Sequence, residues 1–149
     1  MNTHTLGIIL NGATGRIGSN QHLANSLVPI LEEGGLEVDG VKIIPDLLLL
    51  GRDQEKLAKV ARATNIENWT TDLDAALSDS RYSIYFDAAA THLRAKFLHK
   101  ALAAGKHIYS EKPIAPGVEE GLAILAEADA RGLKHSVVED KLHLPGMLK

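Results

Sequence analysis

The segment Gly12-Ala13-Thr14-Gly15-Arg16-Ile17-Gly18 decides how this chain is expected to fold. It follows the apolar run Leu6–Leu10, which is typical of a strand buried on both faces of a parallel sheet. It leads into Arg16–Glu33, where apolar residues recur at helical spacing. A glycine-rich turn between a strand and a helix lets the backbone approach an anion, which the helix N-terminus attracts by about 0.3–1 kcal/mol per charge. We therefore predict that Gly12–Gly18 binds a pyrophosphate.

The spacing of these glycines indicates which type of phosphate-binding turn the segment resembles. The pattern is G-x-x-G-x-x-G, one residue longer than the usual dinucleotide fingerprint G-x-G-x-x-G. No lysine stands directly after Gly18, where a P-loop needs one, so an ATPase is excluded. A tight turn without any ligand remains the alternative for the pattern taken alone.

Strands and helices alternate along the rest of the chain. Further strands are predicted at Asp46–Leu50, near Trp69, and at Tyr82–Ala88, His107–Ser110 and His135–Glu139. Helices are predicted to begin at Asp53, Asp72, Thr91 and Val118, with Asp53 and Thr91 as N-caps. This alternation predicts an α/β fold with a doubly wound, mostly parallel, Rossmann-like sheet of about six strands and helices on both faces.

The end of the second predicted strand bears on the choice of cofactor. In dinucleotide-binding folds an acidic residue there binds the adenosine ribose, whereas an arginine accommodates a 2′-phosphate. Here the sequence is Gly51-Arg52-Asp53, so Arg52 favours NADP over NAD by its charge. Asp53 is able to bind the ribose or to cap the following helix, and a solvated Arg52 beside a capping Asp53 is the alternative.

Composition excludes several classes of function. The chain has 149 residues, enough for one domain, and its formal net charge of −3 gives no electrostatic case for nucleic acid or a membrane surface. The absence of cysteine excludes disulfides and thiolate chemistry, and the start resembles no signal peptide, so we expect a cytoplasmic protein. The seven histidines include no H-x-x-x-H pair with a carboxylate, so no metal site is predicted.

The segment His107–Pro113 places the triplet Glu111-Lys112-Pro113 at the carboxyl end of a predicted strand. Ligands of open α/β sheets bind at that edge. Proline restricts the residue before it, so Lys112 would be held in a defined conformation from which it could move protons. On the triplet alone, a surface Glu-Lys pair before a turn remains the alternative.

With these pieces in order, the sequence resembles the Gfo/Idh/MocA family, named after glucose-fructose oxidoreductase and inositol dehydrogenase. The resemblance is carried by Thr91-His92, the run Ala101–Ile108 that reads ALAAGKHI, and Glu111-Lys112-Pro113. The resemblance implies hydride transfer between NAD(P) and a sugar, polyol or related hydroxyl compound. It implies that Lys112 contacts nicotinamide and substrate.

The same resemblance implies roles for the neighbours of Lys112. Glu111 and Pro113 would hold the lysine, and His92 would lie near the nicotinamide and is a second candidate catalytic residue. The backbone of Ala89, Ala90 and Thr91 would line the cofactor cleft.

Two features depart from the family pattern. The first turn is longer than usual, as in dihydrodipicolinate reductase or extended short-chain enzymes, and the chain is less than half the usual family length. We therefore expect residues 1–140 to form the cofactor domain, and residues 141–149 to begin the connection to a C-terminal substrate domain absent from this chain. The sequence is compatible with a homo-oligomer and does not specify the oligomeric state.

Two other functions compete with an oxidoreductase. A non-catalytic dinucleotide-binding or redox-sensing module would need only the glycine turn. An S-adenosylmethionine enzyme would also have a glycine-rich first turn, but would give Glu111-Lys112-Pro113 no role.

Overall fold

Strand β1 (Asn2–Asn11) lies in the interior of the sheet between β3 and β5, and its second half, Gly7–Asn11, is buried. The computed structural model describes residues 2–139, 141 and 146–147. The other strands are β2 (Leu36–Val38), β3 (Val41–Leu50), β4 (Trp69–Thr70), β5 (Tyr82–Asp87), β6 (His107–Ser110) and β7 (His135–Val137). The helices are a π-helix (Ile17–Leu27), α1 (Val28–Glu32), α2 (Gln54–Thr64), α3 (Leu73–Ser78), α4 (Thr91–Ala103) and α5 (Val118–Ala130).

The strand order places a ligand-binding edge beside β1. The order is β2-β3-β1-β5-β6-β7, with β4 also beside β3. All pairings are parallel except that of β2 with β3. The chain builds outward from β1 to β3 and β4, then crosses back to β5, β6 and β7. In such sheets the loops after the strands on either side of this reversal diverge and leave a crevice.

Alternating side chains on the central strands fill two separate cores, one on each face of the sheet. Ile8 and Leu10 pack with Leu57 of α2 and Leu23 of the π-helix. Ile9, which points the opposite way, packs with residues of α3, α4 and α5. Each fully buried Leu or Ile contributes roughly 1.5–3 kcal/mol, so both faces need their helices. The doubly wound α/β prediction is therefore confirmed.

The first helix has close to the predicted length, but much of it is a π-helix and not an α-helix. Helical structure covers Ile17–Glu32, close to the predicted Arg16–Glu33, but Ile17–Leu27 is a π-helix. At its end the Val28 N–H donates to the Leu23 carbonyl, five residues back. Such wide winding is rare and is frequently found at functional sites. Sequence periodicity did not reveal it, because π and α helices bury similar faces over one or two turns.

The sheet has seven strands, one more than the six segments predicted, because the short strand Leu36–Val38 pairs antiparallel with Val41–Ile43 at the amino end of β3. One detail of the predicted elements was wrong. Thr91 is not the N-cap of α4: Ala90 holds that position, and no side chain caps the helix. Asp53 does cap α2, as predicted, by accepting the Lys56 N–H at 3.0 Å.

Most of the predicted connection 141–149 lies outside the described residues, which include only 141 and 146–147 of it. Within the described part of the chain, no helix combines the length and the apolar character needed to cross a bilayer.

Candidate functional site

The glycine turn lies at the carboxyl end of β1 and approaches the loop after β5. Gly12 has φ +82°, and a Cβ there would lie 2.6 Å from the Ala88 carbonyl group. A Cβ on Gly18 would lie 2.3 Å from the Gly12 oxygen. Both positions therefore require glycine, the first for the turn and the second for close packing of the helix against it.

Some N–H groups of the turn donate hydrogen bonds within the fold, and others have no acceptor in the described chain. Gly12 and Ala13 donate to the Leu50 carbonyl at 3.0 and 3.2 Å, and Gly15 donates to the Gly12 carbonyl at 2.9 Å. Three of the amides predicted to hold an anion are thus already engaged. The hydrogen bonds of the described chain give no acceptor to the N–H groups of Thr14, Arg16, Ile17 and Gly18, which leaves these four available.

Beside this turn is a cavity of about 260 Å³, which we call the glycine-turn groove. It is lined by Asn11, Gly12, Thr14, Gly15, Gly51, Arg52, Ala88, Ala89, Ala90, Leu93 and Phe97. Arg52, which follows β3, therefore borders the groove. Asp53 is not among the lining residues, and its carboxylate serves Lys56 instead. The hydrogen bond from the Lys56 N–H lowers the pKa of Asp53.

A larger cavity of about 690 Å³, the Lys112 cleft, adjoins this groove. Its lining includes Ile17, His22, Thr91, Arg94, Glu111 and Lys112. The two cavities share Ala88, Ala89 and Ala90, so they adjoin each other at the carboxyl ends of β1, β5 and β6, and we call the pair the trough. The structure brings Lys112 and Thr91 together in one cleft. It leaves His92 exposed and outside the lining of either cavity.

The turn Glu111-Lys112-Pro113 follows β6 and is fixed by several hydrogen bonds. The Glu111 N–H donates to the Asp87 carbonyl at 2.8 Å, and the Lys112 N–H donates to the Glu111 Oε2 at 3.2 Å. The Lys112–Pro113 peptide bond is cis. Lys112 is exposed within the cleft, whereas Glu111 is half-buried beside it.

His22 is a cleft residue that sequence reasoning missed. It lies on the π-helix, and its Nε2 is 2.6 Å from the Glu111 Oε1. Its ring lies 4.6 Å from that of Phe86, which in turn lies 4.7 Å from the ring of Tyr109. A histidine one turn beyond a glycine-rich loop, on the helix that borders the cleft, is the signal that could have found it.

A buried polar cluster, which we call the Asp87 network, underlies the Lys112 cleft. Asp87 and Tyr85 are fully buried, and Asn11 is 7% exposed. Asn11 Nδ2 donates to the Tyr85 hydroxyl at 2.7 Å, and both Asn11 and Tyr85 donate to the Asp87 Oδ1 at 3.1 Å. The Arg94 Nε donates to the other oxygen, Oδ2, at 2.9 Å.

Burial sets the acid–base properties of this network. Burial raises the pKa of Asp87, and the hydrogen bonds and charge of Arg94 oppose that rise. Burial also raises the pKa of Tyr85 well above its usual value, and the charge of Asp87 adds to this. Tyr85 therefore stays a neutral donor at neutral pH. Sequence reasoning missed the network, although an aspartate ending a strand buried on both faces requires a partner.

The described residues contain no group of three or more His, Asp or Glu side chains placed to hold a metal ion. The trough instead offers Lys112 and Lys141 in the Lys112 cleft, and backbone amides and Arg52 in the glycine-turn groove. These groups suit an elongated ligand that carries phosphates at one end.

A family model and a curated relative of this chain both describe oxidoreductases. A family model described as "Oxidoreductase family, NAD-binding Rossmann fold" matches residues 10–139. The D-xylose dehydrogenase of Paenarthrobacter nicotinovorans is 41% identical over 148 residues, which cover 99% of this chain and 38% of that protein.

Two solved structures share the fold. A levoglucosan dehydrogenase in complex with NADH and levoglucosan superposes with a TM-score of 0.79 at 26% identity, over 97% of this chain and 37% of that one. An NAD-binding oxidoreductase from Klebsiella pneumoniae gives a TM-score of 0.79 at 25% identity, with the same coverage. The chain thus spans less than two fifths of the length of these relatives.

Proposed function

Because this chain belongs to the Gfo/Idh/MocA family of oxidoreductases, we propose that its trough binds a nicotinamide dinucleotide. The pyrophosphate would lie against the glycine turn, the adenosine toward Arg52, and the nicotinamide in the Lys112 cleft. The observation that carries the proposal is that the glycine-turn groove and the Lys112 cleft lie side by side and share the lining residues Ala88, Ala89 and Ala90. An extended two-ended ligand fits such a trough better than a compact one.

The local chemistry of the turn fits a diphosphate. The N–H groups of Thr14 and Arg16 have no acceptor in the described chain, and they stand at the N-terminus of the first helix. Helix N-termini favour anions. A side chain at Gly12 or Gly18 would clash with backbone, so the backbone stays bare where phosphates would approach.

For the reaction, we propose oxidation or reduction of a carbohydrate-like hydroxyl compound. The bound nicotinamide would supply hydride transfer to or from a substrate carbon. Lys112 would hold or release the proton of the substrate hydroxyl, because its side chain is exposed within the cleft and its backbone is fixed by Glu111. Support for a sugar comes from the similarity to D-xylose dehydrogenase and levoglucosan dehydrogenase.

For the organisation of the protein, we propose that residues 1–140 are a cofactor domain and that residues 141–149 begin the connection to a substrate domain. The support is that the family match ends at residue 139. The surfaces that choose the substrate would belong to that further domain.

Thr14→Asp tests the proposed function. Thr14 lines the glycine-turn groove, so a carboxylate there would repel a diphosphate. We expect the affinity for NADH and NADPH to fall at least about tenfold, which corresponds to roughly 1.4 kcal/mol. The measurement is calorimetric titration of the 149-residue chain with each dinucleotide.

The matched control is Ser80→Asp, which adds the same charge at an exposed position before β5, at the opposite edge of the sheet. It should leave both affinities unchanged. A wild-type chain that binds neither dinucleotide, or equal losses in the two variants, would contradict the proposal.

A further inference from the structure

Arg94 is a buried arginine that borders the Lys112 cleft and makes hydrogen bonds in three directions. It lies in the first turn and a half of α4, and only 2% of the residue is exposed. Its Nε donates to Asp87 Oδ2 at 2.9 Å, its Nη2 to the Ala89 carbonyl at 2.9 Å, and its Nη1 to the Pro113 carbonyl. One guanidinium thus contacts three separate points around the cleft.

The two carbonyl acceptors belong to two different loops. Ala89 lies in the loop after β5 and lines the cleft, and Pro113 directly follows the cleft residue Lys112 in the turn after β6. Neither residue lies in a helix or a strand, so no regular backbone pairing fixes these carbonyl groups. Arg94 therefore ties one loop to the other and sets the position of the residue next to Lys112.

The Asp87 network makes this arrangement rigid. Asp87 neutralises the guanidinium, and its second oxygen accepts hydrogen bonds from Asn11 and Tyr85. A planar fork with fixed donor directions can serve a carboxylate and two carbonyls at once, which a lysine ammonium on a flexible stem cannot do. The charge is thus paired, and the geometry is set by the strands that carry the partners.

We propose that Arg94 is a positioning residue for the nicotinamide end of the trough. Through Ala89 and Pro113 it holds the Lys112 cleft in its binding shape before the ligand arrives. This inference rests on the proposed function. A cleft that is already ordered loses less conformational freedom on binding, so affinity for the whole dinucleotide should depend on Arg94. Affinity for ADP, which reaches only the glycine-turn groove, should depend on it much less.

Arg94→Lys and Arg94→Ala test this inference in the 149-residue chain. Arg94→Lys keeps a positive charge beside Asp87 but loses the fork, so it should fold. We expect each variant to weaken binding of NADPH and NADH by about tenfold or more, and binding of ADP by no more than about threefold. Adding millimolar guanidinium to Arg94→Ala should restore much of the dinucleotide affinity, and methylammonium should not.

Arg131→Ala is the matched control, since that arginine pairs with Glu127 on the exposed face of α5. It should bind all three ligands as the wild type does. Two results would overturn the inference: unchanged dinucleotide affinity in a folded Arg94 variant, or equal losses for ADP and the dinucleotides with no guanidinium rescue. Failure of the proposed function is distinguishable, because the wild-type chain itself would then bind neither NADPH nor NADH.

Discussion

The two ends of the trough are built from different kinds of interaction. The glycine-turn groove is shaped by backbone: Gly12 and Gly18 permit close approach, and the Thr14 and Arg16 N–H groups have no acceptor in the described chain. The Lys112 cleft is shaped by side chains, above all the Asp87 network and Arg94. The glycine-turn groove depends on the absence of side chains at Gly12 and Gly18. The Lys112 cleft depends on the buried charges of Arg94 and Asp87, which must be paired inside the protein. Substitutions should therefore act differently at the two ends.

The largest expected effect is that of Asp87→Ala. Removing this fully buried carboxylate leaves the Arg94 charge unpaired in the interior, which typically costs about 3–5 kcal/mol in the free energy of unfolding. Urea denaturation followed by circular dichroism measures it. The control is Asp74→Ala, whose side chain is 78% exposed and pairs with Lys100, and which should cost less than about 1 kcal/mol. Similar small losses in both variants would show that the cleft is not held by a buried ion pair.

A smaller effect is expected at the other end from Arg52→Ala. Arg52 borders the glycine-turn groove and would pair with the 2′-phosphate of NADPH, which NADH lacks. We expect NADPH affinity to fall about tenfold and NADH affinity to change less than about threefold, with stability unaltered. Titration of both dinucleotides measures this, and Arg62→Ala on the exposed side of α2 is the control. Equal changes for the two dinucleotides would remove Arg52 from cofactor selection.

The smallest effect is expected from Asp53→Ala, which separates capping from ligand binding. Because the Lys56 N–H lowers the pKa of Asp53 in the folded state, the ionised carboxylate stabilises the fold above its ordinary pKa of 3.8. That contribution is lost as the pH falls through the lowered value. We expect the Tm of Asp53→Ala to lie a few degrees, about 2–6, below that of the wild type at pH 6, and the gap to narrow toward pH 3.

Asp53→Asn is the matched control for this prediction, since asparagine caps helices without a charge. The Tm of Asp53→Asn should lie closer to that of the wild type than the Tm of Asp53→Ala does. The difference in Tm between Asp53→Asn and the wild type should depend little on pH. Dinucleotide affinity should be unchanged in both variants. A selective loss of affinity would show that Asp53 binds the ribose as well as capping α2.

The parts of the molecule that sequence reasoning predicted correctly are those encoded by neighbouring residues. The alternation of strands and helices, the capping by Asp53 and the placement of Lys112 at the end of β6 all follow from local patterns. Glycine spacing and hydrophobic period are readable within ten to twenty residues. These patterns therefore predict the fold well, and the pyrophosphate site at Gly12–Gly18 stays a prediction.

The parts that were missed depend on residues far apart in the chain. His22 meets Glu111 across 89 positions, and Asn11 meets Asp87 across 76. The wrong assignment of Thr91 as an N-cap has a local cause, because Ala90 takes the capping position without supplying a side-chain acceptor. Strand β2 was missed because it is short, exposed and paired with only three residues of β3.

A crystal structure of the 149-residue chain with NADPH tests the central claim most directly. The account predicts the pyrophosphate against the amides of Thr14 and Arg16, and the nicotinamide ring in the Lys112 cleft between Ala89 and Lys112. A dinucleotide bound elsewhere on the surface, or a trough that stays empty at saturating NADPH, would contradict it.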